Sequence, residues 1–258
     1  MSFVNKYTVK KDYLPTKTKR RSGIKNLGVK FVVVHDTGNP NSTAQGNVNY
    51  YKNSANTQEA SAHVFIDDKD IIICVPLDEK AWHVLYNVPT DNKMFGADAN
   101  DKAIGVELCY FPNDKAKSLE AYKKYVWFNA WLAYTYKLNP KTSFVGHHIL
   151  DPARKTDPAN ALKFIGKTYQ NLLDDIVKEY NECTKAVTTP PKEENKLAKY
   201  NPTIKEFKDA PERVLAKFEK EGNRPIDKQW REKLANGTIE LDDIIGLLFV
   251  AIDRGFLD

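Results

Sequence analysis

Phe31-Val32-Val33-Val34-His35-Asp36-Thr37-Gly38 is a short apolar run with a polar continuation. A run of this length, followed closely by Gly, Asn and Pro, predicts a buried strand that ends at His35 and opens into a loop. Reactive side chains of α/β proteins commonly reach a cleft at such a strand end. His35 is therefore a candidate functional residue, although a packed or capping histidine is the ordinary alternative.

Strand and helix patterns alternate along the first 180 residues. Further strand patterns lie at residues 62–67, 71–75 and 103–110. Helical patterns lie at residues 45–55, 118–138 and 158–176. The polar Asp68-Lys69-Asp70 predicts a hairpin, and Ser118 can cap the long middle helix. Strands interleaved with helices indicate an α/β fold with helices packed on a sheet.

Apolar periodicity stops near Asn181, where a segment with Pro190-Pro191 and a charged run begins. That composition is typical of a linker. We therefore predict a first domain at residues 1–180, a linker at 181–199 and a small C-terminal helical domain at 200–258. The last domain shows three helical patterns, near residues 203–221, 226–235 and 239–254. Asn236-Gly237 separates the last two patterns, and Gly255 can cap the end.

The composition is that of a soluble globular protein. The chain has 258 residues, of which 41% are hydrophobic and 28% charged. No apolar run approaches the roughly 18 residues needed to span a bilayer, and the start lacks the apolar core of an export signal. Three scattered cysteines without metal spacing (Cys74, Cys109 and Cys183) favour reduced thiols in the cytosol.

The positive charge is concentrated at the start. Residues 1–30 hold nine Lys or Arg against the single Asp12, within a net charge of +5 for the chain. A basic arm of this kind could meet nucleic acid or an anionic polymer such as a teichoic acid. We favour the simpler interpretation that this segment packs on the domain, and we expect no nucleic-acid partner.

A second cluster of chemically capable residues lies between Gly146 and Pro158. His147 follows a short apolar run, and neighbouring His148 competes with it, since adjacent residues of an extended segment point to opposite sides. Asp157 precedes a proline, so it could simply cap a helix. If the chain is extended where it leads into this helix, the side chains of Lys155 and Asp157 project the same way. Lys155 could then stabilise an oxyanion, or it could be an ordinary surface lysine.

Glu107 occupies the middle of the apolar segment Ile104-Gly105-Val106-Glu107-Leu108. A charge buried there is costly unless a metal ion or a lysine compensates it. A compensated carboxylate of this kind is a natural general base. Alternatively, Glu107 forms a simple ion pair or lies on an exposed face of the sheet. His63 and the pair Trp82-His83 are candidates to line a cleft, and core packing explains them equally well.

Residues 27–175 resemble the zinc-dependent N-acetylmuramoyl-L-alanine amidases, a type shared by bacterial amidases, phage endolysins and peptidoglycan recognition proteins. Each matching piece is weak alone, but the ordered set is highly specific. The pieces, in order, are the strand ending in His35, Ser61-Ala62-His63 with Ala81-Trp82-His83, Ile104-Gly105-Val106-Glu107-Leu108, and Gly146-His147 with Arg154-Lys155-Thr156-Asp157-Pro158.

The resemblance implies a mixed central sheet flanked by helices and a Zn²⁺ site made by His35, His147 and Asp157. It also implies a water activated by Glu107 and an oxyanion stabilised by Lys155. His147 is preferred to His148, because the family's ligand directly follows the glycine. Two departures affect the local loops: Asp36 stands where the family often has a second histidine, and Ala159 where it often has glycine.

The implied reaction cleaves the amide bond between N-acetylmuramic acid and L-alanine of the peptidoglycan stem peptide. The two-part layout without an export signal resembles a phage or prophage endolysin, which stays in the cytoplasm until it is released to the cell wall and lyses the host. The C-terminal domain is then expected to bind a wall polymer. The alternatives are a non-catalytic peptidoglycan receptor and a zinc endopeptidase that cuts within the stem peptide.

Overall fold

The computed structural model describes residues 2–86, 88–185, 205–220 and 229–253. The chain divides into two compact units, Met1–Ala186 and Val187–Asp258. Within the described ranges, no helix combines the length and the apolar character that a membrane span requires.

A six-stranded mixed sheet forms the centre of the first unit. Its strands are β1 (Val9–Lys11), β2 (Phe31–Asp36), β3 (Val64–Ile66), β4 (Ile71–Ile73), β5 (Ala103–Leu108) and β6 (Phe144–Gly146). They lie in the order β1-β4-β3-β5-β2-β6, and β3 and β4 pair antiparallel while the other neighbours are parallel. The predicted mixed sheet, the hairpin and the strand that leads into His35 are confirmed.

Helices cover both faces of this sheet. They are α1 (Ala44–Asn53), α2 (Pro89–Phe95), α3 (Ala99–Lys102), α4 (Lys115–Thr135), α5 (His147–Leu150), α6 (Ala159–Phe164) and α7 (Tyr169–Thr184). Val32 and Val34 pack with residues of α4 and α7, whereas Phe31 and Val33 face α2 and α3 on the other side. Because both faces are covered, every residue of β2 is buried.

Two predicted helix details are wrong. Asp114, not Ser118, caps α4, and it accepts a hydrogen bond from the Lys117 amide. Ser118 instead bonds the backbone of Phe111. The single helix predicted from Pro158 to Ile176 is two helices, because Gly166 takes a positive φ of 72° and Thr168 then starts α7 with a capping box.

The basic N-terminal segment belongs to the first unit and packs against its sheet. Strand β1 pairs with β4 at the edge of the sheet, and Leu14 is buried against the core. Arg20 is fully buried, bonds the carbonyls of Ser54 and Ala60, and places its guanidinium 4.2 Å from the centre of the Tyr51 ring. One positive charge of this segment, that of Arg20, therefore lies inside the fold, where carbonyl groups and an aromatic ring stabilise it.

The second unit contains α8 (Lys205–Lys220), α9 (Gln229–Ala235) and α10 (Leu241–Asp253), close to the three predicted helices. Its small core is made by Leu215, Phe218, Ile239, Leu247 and Ala251. Gly237, with a φ of 64°, lies in the break between α9 and α10, as predicted. Helix α7 continues to Thr184, inside the predicted linker, and residues 186–199 and Gly255 lie outside the described residues.

Candidate metal centre

The candidate site forms where three parallel strands end. Strands β2, β5 and β6 are neighbours, so their carboxyl ends share one edge of the sheet. His35 lies opposite Glu107 in the register of β2 and β5, and His147 directly follows the end of β6. Strand pairing alone thus brings His35, Glu107 and His147 to the same edge of the sheet.

The two histidines converge on one carboxylate oxygen. Nδ1 of His35 lies 2.8 Å, and Nδ1 of His147 3.1 Å, from Oδ2 of Asp157. One candidate ligand atom from each residue lies within 4.8 Å of the others, and all three residues are buried. Two imidazole nitrogens and a carboxylate oxygen are a donor set that Zn²⁺ prefers in hydrolytic sites, so these residues fit that ion.

Asp157 does not cap the following helix. The N-cap of α6 is Pro158, with no side-chain hydrogen bond, and the Asp157 carboxylate is bonded to the two imidazoles instead. Asp36 caps α6 from the end of β2: it accepts hydrogen bonds from the Ala161 amide and the Asn160 side chain. The sequence reasoning missed this role, although Asp36-Thr37-Gly38 is a recognisable Asx-turn pattern.

His147 and His148 separate for a different reason than expected. They begin the short helix α5 rather than continue an extended segment, so their side chains diverge by the turn of a helix. His147 lines the cavity, whereas the ring of His148 packs edge-on against Tyr169 with centroids 4.9 Å apart. The preference for His147 agrees with this geometry.

The protonation states of His35 and Asp157 suit a cation. Burial lowers the pKa of His35 to about 4, which keeps its imidazole neutral near pH 7 even beside the Asp157 carboxylate. Burial acts to raise the pKa of Asp157, but hydrogen bonds from His147 and His35 outweigh it and lower that pKa. Neutral imidazoles and an ionised carboxylate are the forms that bind a metal ion.

Glu107 faces the same cavity with a strongly perturbed carboxyl group. Its Oε2 is enclosed and has no hydrogen-bond partner in the described ranges. Burial, and then the charges of Asp157 and Asp36, raise the pKa of Glu107 well above its ordinary value, while Lys155 opposes the rise. A carboxyl group whose pKa is raised in this way is suited to accept and return a proton.

Lys155 also lines this cavity, two residues before Asp157. It lies in an irregular segment, directly after a turn in which its amide donates to the Asp151 carbonyl at 3.0 Å. Its positive charge lowers the pKa values of both His35 and Glu107. Arg154, its neighbour, pairs with Asp151 instead.

The cavity has a volume of about 670 Å³ and an apolar wall. Trp82 and Tyr86 lie there with ring centroids 5.8 Å apart, and the neighbouring Leu85 is 56% exposed. Exposed apolar side chains at a cavity are typical of ligand contacts. Trp82, predicted as a substrate contact, is therefore placed where it can serve as one; Leu85 and Tyr86 were missed.

His83 and His63, the other predicted substrate contacts, differ in position. His83 lines the cavity. His63 does not: it is fully buried, accepts a hydrogen bond from the Gly105 amide at Nδ1, and its Nε2 donates to the Glu79 carbonyl. These bonds connect β5 to the segment after β4, so the substrate contact predicted for His63 is corrected to a core role.

Comparison with known proteins identifies the family of this chain. A family model described as N-acetylmuramoyl-L-alanine amidase matches residues 25–160, more than half of the chain. The chain therefore belongs to this amidase family. The match contains His35, Glu107, His147, Lys155 and Asp157.

Curated relatives match over part of their length. N-acetylmuramoyl-L-alanine amidase BlyA of Bacillus subtilis (strain 168) is 35% identical over 105 residues, which is 38% of this chain and 28% of the relative. A bifunctional autolysin of Staphylococcus aureus is 29% identical over 160 residues, which is 58% of this chain and 12% of the autolysin. The chain thus spans less than a third of either relative.

Solved structures share the fold. The Staphylococcus aureus hydrolase AmiA in complex with its ligand has 26% identity and a TM-score of 0.53, covering 69% of this chain and 85% of that one. PlyL has 22% identity and a TM-score of 0.53, covering 66% of this chain and 97% of PlyL, and it supports the fold only.

Proposed function

We propose that this chain hydrolyses the amide bond between N-acetylmuramic acid and L-alanine in peptidoglycan, with Zn²⁺ held by His35, His147 and Asp157. The observation that carries the proposal is the convergence of two Nδ1 atoms on Oδ2 of Asp157, beside the buried carboxyl group of Glu107. Membership of the amidase family supports the choice of substrate.

The chain's own residues supply the proton transfers and the charge stabilisation. Zn²⁺, when bound, polarises the substrate carbonyl and lowers the pKa of water toward neutrality. Glu107 takes a proton from the attacking water at a carboxylate oxygen and returns it to the leaving amide nitrogen, for which its raised pKa is suited. The ammonium group of Lys155 stabilises the negative charge that develops on the carbonyl oxygen.

The cavity wall positions the substrate. Trp82, Leu85 and Tyr86 offer an apolar surface, and His83 lies deeper in the same cavity. Such a surface suits the lactyl group and the apolar face of a sugar ring, which have few hydrogen-bonding groups. In this proposal, Trp82 contacts the substrate, and the anchored substrate shields the reacting amide from bulk water.

We further propose that the second unit binds a cell-wall polymer and that the protein acts as a phage or prophage endolysin, retained in the cytoplasm until it reaches the wall and lyses the host. The separate helical unit that follows the catalytic one motivates this proposal. Cosedimentation with purified walls tests it. A chain that ends at Lys185 should stay in the supernatant, and equal sedimentation of both chains would refute the binding role.

Digestion of purified cell walls tests the reaction itself. The full chain with Zn²⁺ should release new alanine amino termini without new reducing sugar ends, as identified by mass spectrometry. A chelator should stop the release, Zn²⁺ should restore it, and Glu107→Gln serves as the inactive control. New amino groups deeper in the stem peptide would identify an endopeptidase, and the absence of products would identify a non-catalytic receptor.

A further inference from the structure

His83 is a buried residue of the cavity wall that contacts the candidate ligand His35. It is 8% exposed, and its Nδ1 lies 3.2 Å from Nε2 of His35. The two rings meet edge to face, with centroids 5.3 Å apart. Since Nδ1 of His35 faces Asp157, His83 contacts the ring nitrogen that points away from the cluster.

We propose that His83 is a positioning residue that fixes the ring orientation and the tautomer of His35 for metal binding. The inference rests on the proposed function, because it takes Nδ1 of His35 as a ligand. A ligand nitrogen needs a free lone pair. The one proton of neutral His35 is on Nδ1 while that atom donates to Asp157 in the metal-free protein, so it must be on Nε2 once the ion is bound. Among the described residues, Nδ1 of His83 is the acceptor that lies within hydrogen-bond distance of that proton.

The backbone around His83 is held by one asparagine. Oδ1 of Asn100 accepts hydrogen bonds from the amides of His83 and Val84, at 2.9 and 3.1 Å. The amide group of Asn100 donates in turn to the Val84 carbonyl at 2.6 Å. Asn100 itself is almost fully buried, so these bonds fix the chain at His83 without competition from water.

The ring of His83 packs against the backbone of Gly105, which has no side chain. A Cβ atom at Gly105 would lie 2.6 Å from Cγ of His83, closer than real contacts allow. Glycine is otherwise unfavourable within a strand, and it is common where another group approaches the backbone closely. Gly105 therefore makes the space in which His83 reaches His35.

The remaining nitrogen of His83 supports a role beyond packing. Its Nε2 is enclosed and has no hydrogen-bond partner in the described part of the chain. Such a group costs free energy that an apolar ring of similar size would avoid. An imidazole at this position is explained by its other nitrogen, the one that faces His35.

Metal affinity of matched variants tests the inference. His83→Phe keeps an aromatic ring without an acceptor, whereas His83→Asn places an amide oxygen near the position of Nδ1. We expect His83→Phe to weaken Zn²⁺ binding by about 10- to 100-fold and His83→Asn to restore most of it, as measured on the full chain by competition with a chromophoric chelator. The unfolding free energy of each metal-free variant controls for damage to the fold.

Gly105→Ala is a second variant that leaves the imidazole in place but displaces it. It should also weaken Zn²⁺ binding, since the added Cβ occupies the space of the ring. Long-range ¹H–¹⁵N spectra of the zinc-loaded wild type should show the His35 proton on Nε2.

The possible failures differ in what they overturn. Equal Zn²⁺ affinity of wild type and His83→Phe, or a His35 proton on Nδ1 in the loaded protein, would overturn the role of His83 alone. No Zn²⁺ binding by the wild type would overturn the proposed function, and the inference with it.

Discussion

Replacing Asp157 by alanine removes the oxygen on which the imidazoles of His35 and His147 converge. In the metal-free protein, that oxygen accepts hydrogen bonds of 2.8 and 3.1 Å. A hydrogen bond to a charged group contributes about 1.5–3 kcal/mol, and part of the gain from two such bonds is offset by the burial of the carboxylate. We therefore expect the variant to lose roughly 2–3 kcal/mol of unfolding free energy without metal.

Zinc should make the difference larger. At a Zn²⁺ concentration of 100 times its Kd, the wild type gains about 2.7 kcal/mol of unfolding free energy by mass action. A variant whose affinity has fallen about 100-fold gains only about 0.4 kcal/mol at the same concentration. Loss of one of three ligands should produce a fall of at least that size, so the zinc-dependent gain should nearly disappear.

Urea unfolding, followed by tryptophan fluorescence with and without Zn²⁺, measures both effects. Asp175→Ala is the matched control, because Asp175 also accepts two side-chain hydrogen bonds, from Tyr122 and Lys167, at a position outside the cavity. This control should lose stability and keep the full zinc-dependent gain. A zinc-dependent gain in Asp157→Ala equal to that of the wild type would refute the ligand assignment.

Three further variants test the neighbouring groups. Glu107→Gln should retain Zn²⁺ but lose about 10²- to 10⁴-fold in turnover, which wall digestion measures; near-normal turnover would exclude Glu107 as the base. The folded-state pKa of Glu107 is raised above its ordinary 4.5, so the unfolded state releases this proton first as the pH rises. Metal-free wild type should therefore lose stability relative to Glu107→Gln as the pH rises above 4.5, and a constant difference in urea unfolding would contradict the raised pKa. Lys155→Ala should lower kcat by about 10²- to 10³-fold if the ammonium group stabilises the oxyanion, whereas an effect on KM alone would assign it to substrate binding. Asp36→Ala should cost about 1–2 kcal/mol of unfolding free energy through the lost cap of α6, and an unchanged urea midpoint would show that the cap contributes nothing.

Much of the first unit was predictable because its signals are local. The strand at residues 31–36 and the hairpin between β3 and β4 follow from apolar runs bounded by polar turns. The capping of α4 and the break before α7 were not found. Asp114 and Ser118 are both good capping residues, and the positive φ of Gly166 ends α6 where the apolar spacing continues without interruption.

The candidate site was also predictable only in part from local signals. His35 and His147 could be selected as strand-end residues, and their assignment with Asp157 as one ligand set came from the family resemblance. The ordinary alternative for Asp157, a helix cap, was physically sound, and only the tertiary structure excludes it by assigning the cap of α6 to Asp36. The cleft position expected for His63 was wrong because its two ring nitrogens are engaged in the core.

By itself, the amino-acid sequence determined the order of strands and helices and the residue types that end each strand, because hydrophobic periodicity acts over a few neighbouring residues. Only the tertiary structure decided which nitrogen of each histidine faces the cluster and which groups hold it there. His35 is separated from Asp157 by 122 positions and from His83 by 48. Contacts between residues so far apart in the sequence depend on how the sheet and its helices pack, so no local sequence pattern predicts them.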